Sequence, residues 1–171
     1  MRTLSRKNLI FLSSTAALII ILCIGFALHQ YYKTTINIAE YSQFMLSSSI
    51  YYEDMKELDI KNIQEHYSGI KAADILDGKV FVSTDGTAKE FTIIKANGSQ
   101  NADNIQNILS RYCSNLLKKF QTSNREEYER VKGYSIRRTR DYVIMTISDN
   151  MGSGGKISDS YFDKTNYDKV N

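Results

Sequence analysis

The stretch "GKVFVSTDGTAKEFTIIKANGSQNADNIQNILSRYCSNLLKKF", residues 78–120, changes its hydrophobic period once, and that change decides the fold class. Two β-rich runs, 80–83 and 90–95, flank a turn at Asp85-Gly86 and end at Asn97-Gly98, the pattern of a β-hairpin. From 103 to 120 the apolar residues Ile105, Ile108, Leu109, Tyr112, Leu116 and Phe120 recur every three or four positions, with Leu117 widening the stripe. Such spacing predicts a long amphipathic helix that covers a sheet face. Tyr112 and Cys113 lie in or beside the stripe and read as packing groups.

Downstream, "REEYERVKGYSIRRTRDYVIMTISDN", residues 125–150, predicts a short helix over 126–132 stopped by Gly133. A strand over 134–139, a reversal at Arg140-Asp141 and a strand over 142–148 follow. The order helix-β-β-helix-β-β implies an α+β domain: a small, mostly antiparallel sheet with one main covering helix. Alternation assigns Phe91 and Ile93 to one face, Ile94 to the other, and groups Val143, Met145 and Ile147. After Asn150, the glycine-rich "MGSGGK" reads as a loop; the tail from Tyr161 either docks through Tyr161 and Phe162 or frays. Upstream, in "KELDIKNIQEHYSGIKAADI", residues 56–75, Asp59 caps a short helix with Ile60, Ile63 and Tyr67 on its apolar side, and Gly69 stops it. It reads as a docking helix without chemistry.

The N-terminus, "SRKNLIFLSSTAALIIILCIGFALHQYYK" at 5–33, is of another kind. Residues 9–28 carry no charge, and twenty helical residues span about 30 Å, a bilayer's hydrocarbon thickness. Arg2, Arg6 and Lys7 precede the run, and no acidic residue occurs before Glu40, which places the N-terminus in the cytoplasm and the remainder outside. The expected organisation is a cytoplasmic tail (1–8), a transmembrane helix (9–28), a juxtamembrane helix or stalk (29–55), an extracytoplasmic α+β domain (56–150), and a C-terminal loop and tail (151–171). In the stalk, Ile36, Ala39, Tyr41, Phe44, Met45, Ser48, Tyr51 and Tyr52 fit one helical face. The segment also suits a cleaved leader, since Gly25 and Ala27 form a small-x-small pair, but the run exceeds the roughly 7–15 residues of a leader core. Cys23 follows bulky Leu22, where lipoprotein processing requires a small residue.

Residues 34–171 hold 18 basic and 19 acidic side chains, a net charge of −1. With an exterior location, that balance excludes nucleic acid as the expected partner. Cys113 stands alone outside the membrane run, so no disulfide forms within the soluble part. No catalytic set is legible. His66 lacks a G-x-S-x-G partner, and Gly-Ser-Gly-Gly at 152–155 lacks the P-loop spacing. Asp141, Asp149, Asp159 and Asp163 do not reproduce a calcium loop, so neither metal nor cofactor is expected.

Binding is the expected role. Arg137, Arg138 and Arg140 concentrate charge at one end of the second hairpin, with Tyr142 beside them. Arginine's donor fork suits anionic lipid headgroups, an acidic envelope polymer or an acidic protein surface. In a strand, Arg138 and Arg140 share one face and Arg137 takes the other, so a solvated edge is the alternative.

The segments "KEFTIIKANGSQNADNIQNILSRYCSNLLKKF" and "EEYERVKGYSIRRTRDYVIMTISDN" carry a further signal. Glu90 leads an apolar strand ending in Lys95, a long helix ends at Lys119-Phe120, Glu127-Tyr128 precedes Lys132, and a strand carries Tyr142-Val143. In these features the chain resembles, over about 59–148, the bacterial domain-of-unknown-function family 4358 (DUF4358). The resemblance implies a small exported protein of Gram-positive type, often a lipoprotein, and brings no catalytic residues. The expected function is therefore a membrane-anchored, non-catalytic extracytoplasmic domain. Its expected partners are the lipid bilayer together with a membrane or envelope protein or an anionic envelope component. The alternatives are a structural accessory acting through its transmembrane and stalk helices, or an envelope hydrolase using His66.

Overall fold

β-branched and aromatic residues build most of a five-stranded sheet: β1 (Met55–Leu58), β2 (Ile75–Ser83), β3 (Glu90–Ala96), β4 (Ser135–Thr139) and β5 (Tyr142–Ile147). The computed structural model describes residues 18–26, 35–51, 55–149 and 151–167. The strand order is β1-β2-β3-β5-β4 and all neighbours are antiparallel. Both expected hairpins are present. The second turns at Arg140, a non-glycine residue with φ of 52°. β1 has no counterpart in the sequence reading: four residues with Lys56 and Glu57 exposed carry little strand signal.

Helix α1 is described over residues 18–26. Within the compact unit that begins at Ile36 lie α2 (Ile38–Leu46), α3 (Ile63–His66), α4 (Ser99–Phe120), α5 (Arg125–Lys132) and α6 (Ser153–Tyr167). Capping explains two starts. The Asn37 side chain accepts from the Glu40 backbone N–H, and Asn124 accepts from those of Glu126 and Glu127. Asp59 caps a 3-10 turn over Ile60–Asn62 that leads into α3, and Gly69, with φ of 105°, redirects the chain after it.

The sheet is covered on both faces. On one, the α4 stripe of Ile105, Ile108 and Leu109 joins Ile63, Tyr67, Ile94, Val143, Met145 and Ile147 in a single apolar cluster. On the other, Ile38, Tyr41 and Met45 of α2 and Tyr161 of α6 join Phe81, Phe91, Ile93 and Ile144. The alternation expected for β3 and β5 holds at each of these positions.

This second layer corrects the expectation of a single covering helix and moves the domain's start upstream. Tyr41, Met45 and Tyr51, expected in a stalk, are buried, and the Tyr51 hydroxyl donates to the Ile147 carbonyl at 3.2 Å. Residues 52–54 lie outside the described residues. The glycine-rich segment expected as a loop begins α6. A Cβ at Gly154 would stand 2.8 Å from the Tyr51 hydroxyl and 2.9 Å from Thr146 Cβ, so glycine lets the helix lie directly on the sheet. Helix propensity alone would favour alanine by about 1 kcal/mol. Gly154→Ala is nonetheless expected to destabilise by a net of about 1–2 kcal/mol, because overpacking outweighs propensity; a gain in urea midpoint would overturn the close contact. The docked alternative for Tyr161 is realised.

The expected membrane span at 9–28 falls partly outside the described residues. Among those described, no helix is long and apolar enough to cross a membrane.

Candidate functional site

Strand parity places Glu90 and Thr92 on the same face as Ile94, beneath α4. A carboxylate there is only 3% exposed and needs donors to offset lost hydration. Three arrive from two helices and the turn after α3. Tyr112 of α4 donates its hydroxyl to Glu90 Oε2 at 2.8 Å, His66 Nε2 lies 3.2 Å from the same oxygen, and Tyr67 donates to Oε1. Thr92 Oγ1 meets the Tyr67 hydroxyl from behind. The aromatic rings pack edge to face, Tyr67 against Tyr112 at 5.0 Å between centroids and His66 against Tyr67 at 4.6 Å.

Burial holds the Tyr67 phenol well above the ordinary tyrosine range, and the Glu90 charge adds to it; the same two causes raise Tyr112. Both phenols therefore keep their protons and act as donors. With the Tyr67 proton committed to Glu90, the Thr92 hydroxyl donates to Tyr67. At His66 it is Nε2 that faces Glu90, as a donor to the carboxylate. The network terminates at His66, whose side chain is 27% exposed. There it meets a cleft of about 280 Å³ lined by Leu58, Asp59, Asn62, Ile63, Glu65, His66 and Val80.

A second polar network has a structural role. Glu127 accepts the Ala88 backbone N–H at 2.6 Å and pairs with Arg130, whose Nε reaches Asp149 at 3.0 Å. Lys89 Nζ also reaches Asp149, at 3.3 Å. The β2–β3 turn, α5 and the segment after β5 are thereby fastened together.

The arginines expected to bind an anion are not brought together. Arg137 pairs with Asp159 of α6 and lies 4.2 Å from the centroid of Phe162. Arg138 points to the other face, pairing with Asp103 at 2.7 Å and with the Ser99 hydroxyl at 2.7 Å. Arg140 occupies the turn, and Tyr142 is buried with Lys95 Nζ 5.7 Å from its ring centre. Of the expected surface aspartates, Asp149 and Asp159 are thus engaged in ion pairs. Among the described residues, no group of three or more side chains is placed to hold a metal.

Glu90, Thr92, Tyr67, His66 and Tyr112 formed no motif in the sequence because they are scattered over 47 positions, from 66 to 112. One signal was available: an acidic residue sharing strand parity with the helix-facing Ile94 must be buried and must find donors.

A family model described as "Domain of unknown function (DUF4358)" matches residues 32–148. The match takes in α2 as well as the 59–148 segment. No curated protein and no solved structure matches the chain.

Proposed function

We propose, from the premise that the chain belongs to the DUF4358 family, that it is a membrane-tethered extracytoplasmic domain with a non-catalytic binding or assembly role. The observation that carries this reading is the exposed apolar surface of residues 18–26. Leu18, Ile19, Ile20, Ile21, Leu22, Ile24 and Phe26 are each 54–66% exposed within a helical segment. Burying each such side chain contributes about 1.5–3 kcal/mol, so a bilayer would stabilise this segment by on the order of 10 kcal/mol. The uncharged run of 9–28, its basic N-terminal flank and a family match beginning only at residue 32 support an anchor that is additional to the domain. Tethering raises the local concentration of a domain near membrane partners, so weak lateral contacts suffice. α2 is part of the domain core, which removes it as the free stalk surface an accessory role would use.

Cys113 supplies the topology test. It is fully buried, and burial, reinforced by the Glu90 charge, pushes its thiol up to about 12, so the folded domain shields it from thiolate chemistry. In a Cys23→Ser background it is the only thiol. A membrane-impermeant maleimide is expected to label it on intact cells only after urea unfolds the exterior. Labelling that still requires membrane rupture under those conditions overturns the orientation. Alkaline extraction that releases the unaltered chain overturns the tether, whereas Ile20→Arg with Leu22→Arg is expected to release it.

A further inference from the structure

The cleft at the end of the Glu90 network has a composition that selects its occupant. Its wall is apolar at Leu58, Ile63 and Val80, while Asp59 and Glu65 supply two carboxylates, and the described lining includes neither lysine nor arginine. Asn62 adds an amide oxygen as a third acceptor, and the His66 ring, held by Glu90 through Nε2, lines the cleft beside them. Asp59 commits Oδ1 to the Lys61 backbone N–H. A volume of about 280 Å³ lies just below the usual range of small-molecule sites, about 300–1,000 Å³. That suits one side chain rather than a cofactor.

We propose that this cleft between α3 and strands β1 and β2 binds the side chain of a lysine from an extended partner peptide. Four methylenes would lie along Leu58, Ile63 and Val80 while the ammonium sits among Asp59, Asn62 and Glu65. An ammonium radiates three donors and so matches acceptors on three separate residues, whereas the planar fork of arginine matches a single carboxylate. The peptide form follows from β1, the terminal strand of the sheet, whose outer edge has no strand partner among the described residues. An extended segment has backbone groups to pair with there. The proposal rests on the binding role argued above and names the partner chemistry of that role.

The test uses the full chain in zwitterionic micelles with 13C-labelled histidine. The chain has only His29 and His66, and the His66→Gln spectrum assigns the two signals. Nα-acetyl-lysine N-methylamide is expected to shift the His66 ring signal saturably at millimolar concentration, with His29 unmoved. The norleucine analogue, which lacks the amine, is expected to leave His66 unchanged. Asp59→Asn combined with Glu65→Gln keeps the helix cap and both side-chain shapes, and is expected to weaken lysine binding about tenfold. Added salt should weaken binding in the same direction. No saturable shift, an equal shift with norleucine, or unchanged affinity in the double variant each overturns the proposal. Failure here leaves membrane extraction and Cys113 labelling untouched, so it is separable from failure of the tether.

Discussion

Glu90→Ala is expected to destabilise the domain by about 3–5 kcal/mol, the range for removing one partner of a buried charged network. The substitution leaves the buried Tyr67 hydroxyl, the Tyr112 hydroxyl and His66 Nε2 without the acceptor they share. Each unpaired buried donor costs about 1–3 kcal/mol, and partial access of Tyr112 and His66 to water limits their share. Glu90→Gln retains the volume and one acceptor oxygen but turns an amide NH₂ toward a donor, so its loss should be intermediate. Tyr67→Phe combined with Glu90→Ala is expected to cost less than the two single losses added, because the phenol and carboxylate exist for each other. Urea unfolding of the full chain in micelles, followed by circular dichroism, reads all four variants. A Glu90→Ala loss below about 1 kcal/mol would mean that the network does not organise this part of the core.

Leu109→Ala is expected to cost about 2–5 kcal/mol through lost transfer free energy and the cavity left behind. Leu109 is fully buried in the cluster that joins α4 to β3 and β5, so the site cannot refill with water at low cost. Leu76, 60% exposed on β2, is the matched control, and its replacement by alanine should stay within about 0.5 kcal/mol. The same unfolding curves should show an unchanged slope for both variants, since neither alters the surface exposed on unfolding. A near-zero loss at Leu109 would contradict the helix-on-sheet core itself.

The elements that were legible in the sequence are those whose signal is local. The 3.6 period of α4 and the alternation of β3 and β5 record which face of each element is buried, whatever covers it. The strand β1 was not legible, since four residues with two exposed charges become a strand only by pairing with β2. Gly154 and Gly155 read as loop residues because glycine weakens an isolated helix; the tertiary contact with Tyr51, Thr146 and Ser135 makes the missing Cβ an advantage. Likewise, Tyr41 and Met45 fit an amphipathic stalk equally well, and only a second exposed sheet face gave that stripe a place to pack.

The candidate sites divide along the same line. Strand alternation already set Arg137 on the face opposite Arg138 in the sequence, whereas their partners, Asp159 of α6 and Asp103 of α4, come only from the tertiary structure. Glu90, Tyr67, His66 and Tyr112 lie far apart in the chain and suggested nothing together. By itself the sequence determined the apolar N-terminal run, the α+β class, the two hairpins and the buried face of α4, because periodicity and charge act between near neighbours. The tertiary structure alone decided the second helical layer and which polar side chains share a buried site, because a carboxylate removed from water takes its donors from wherever the fold brings them.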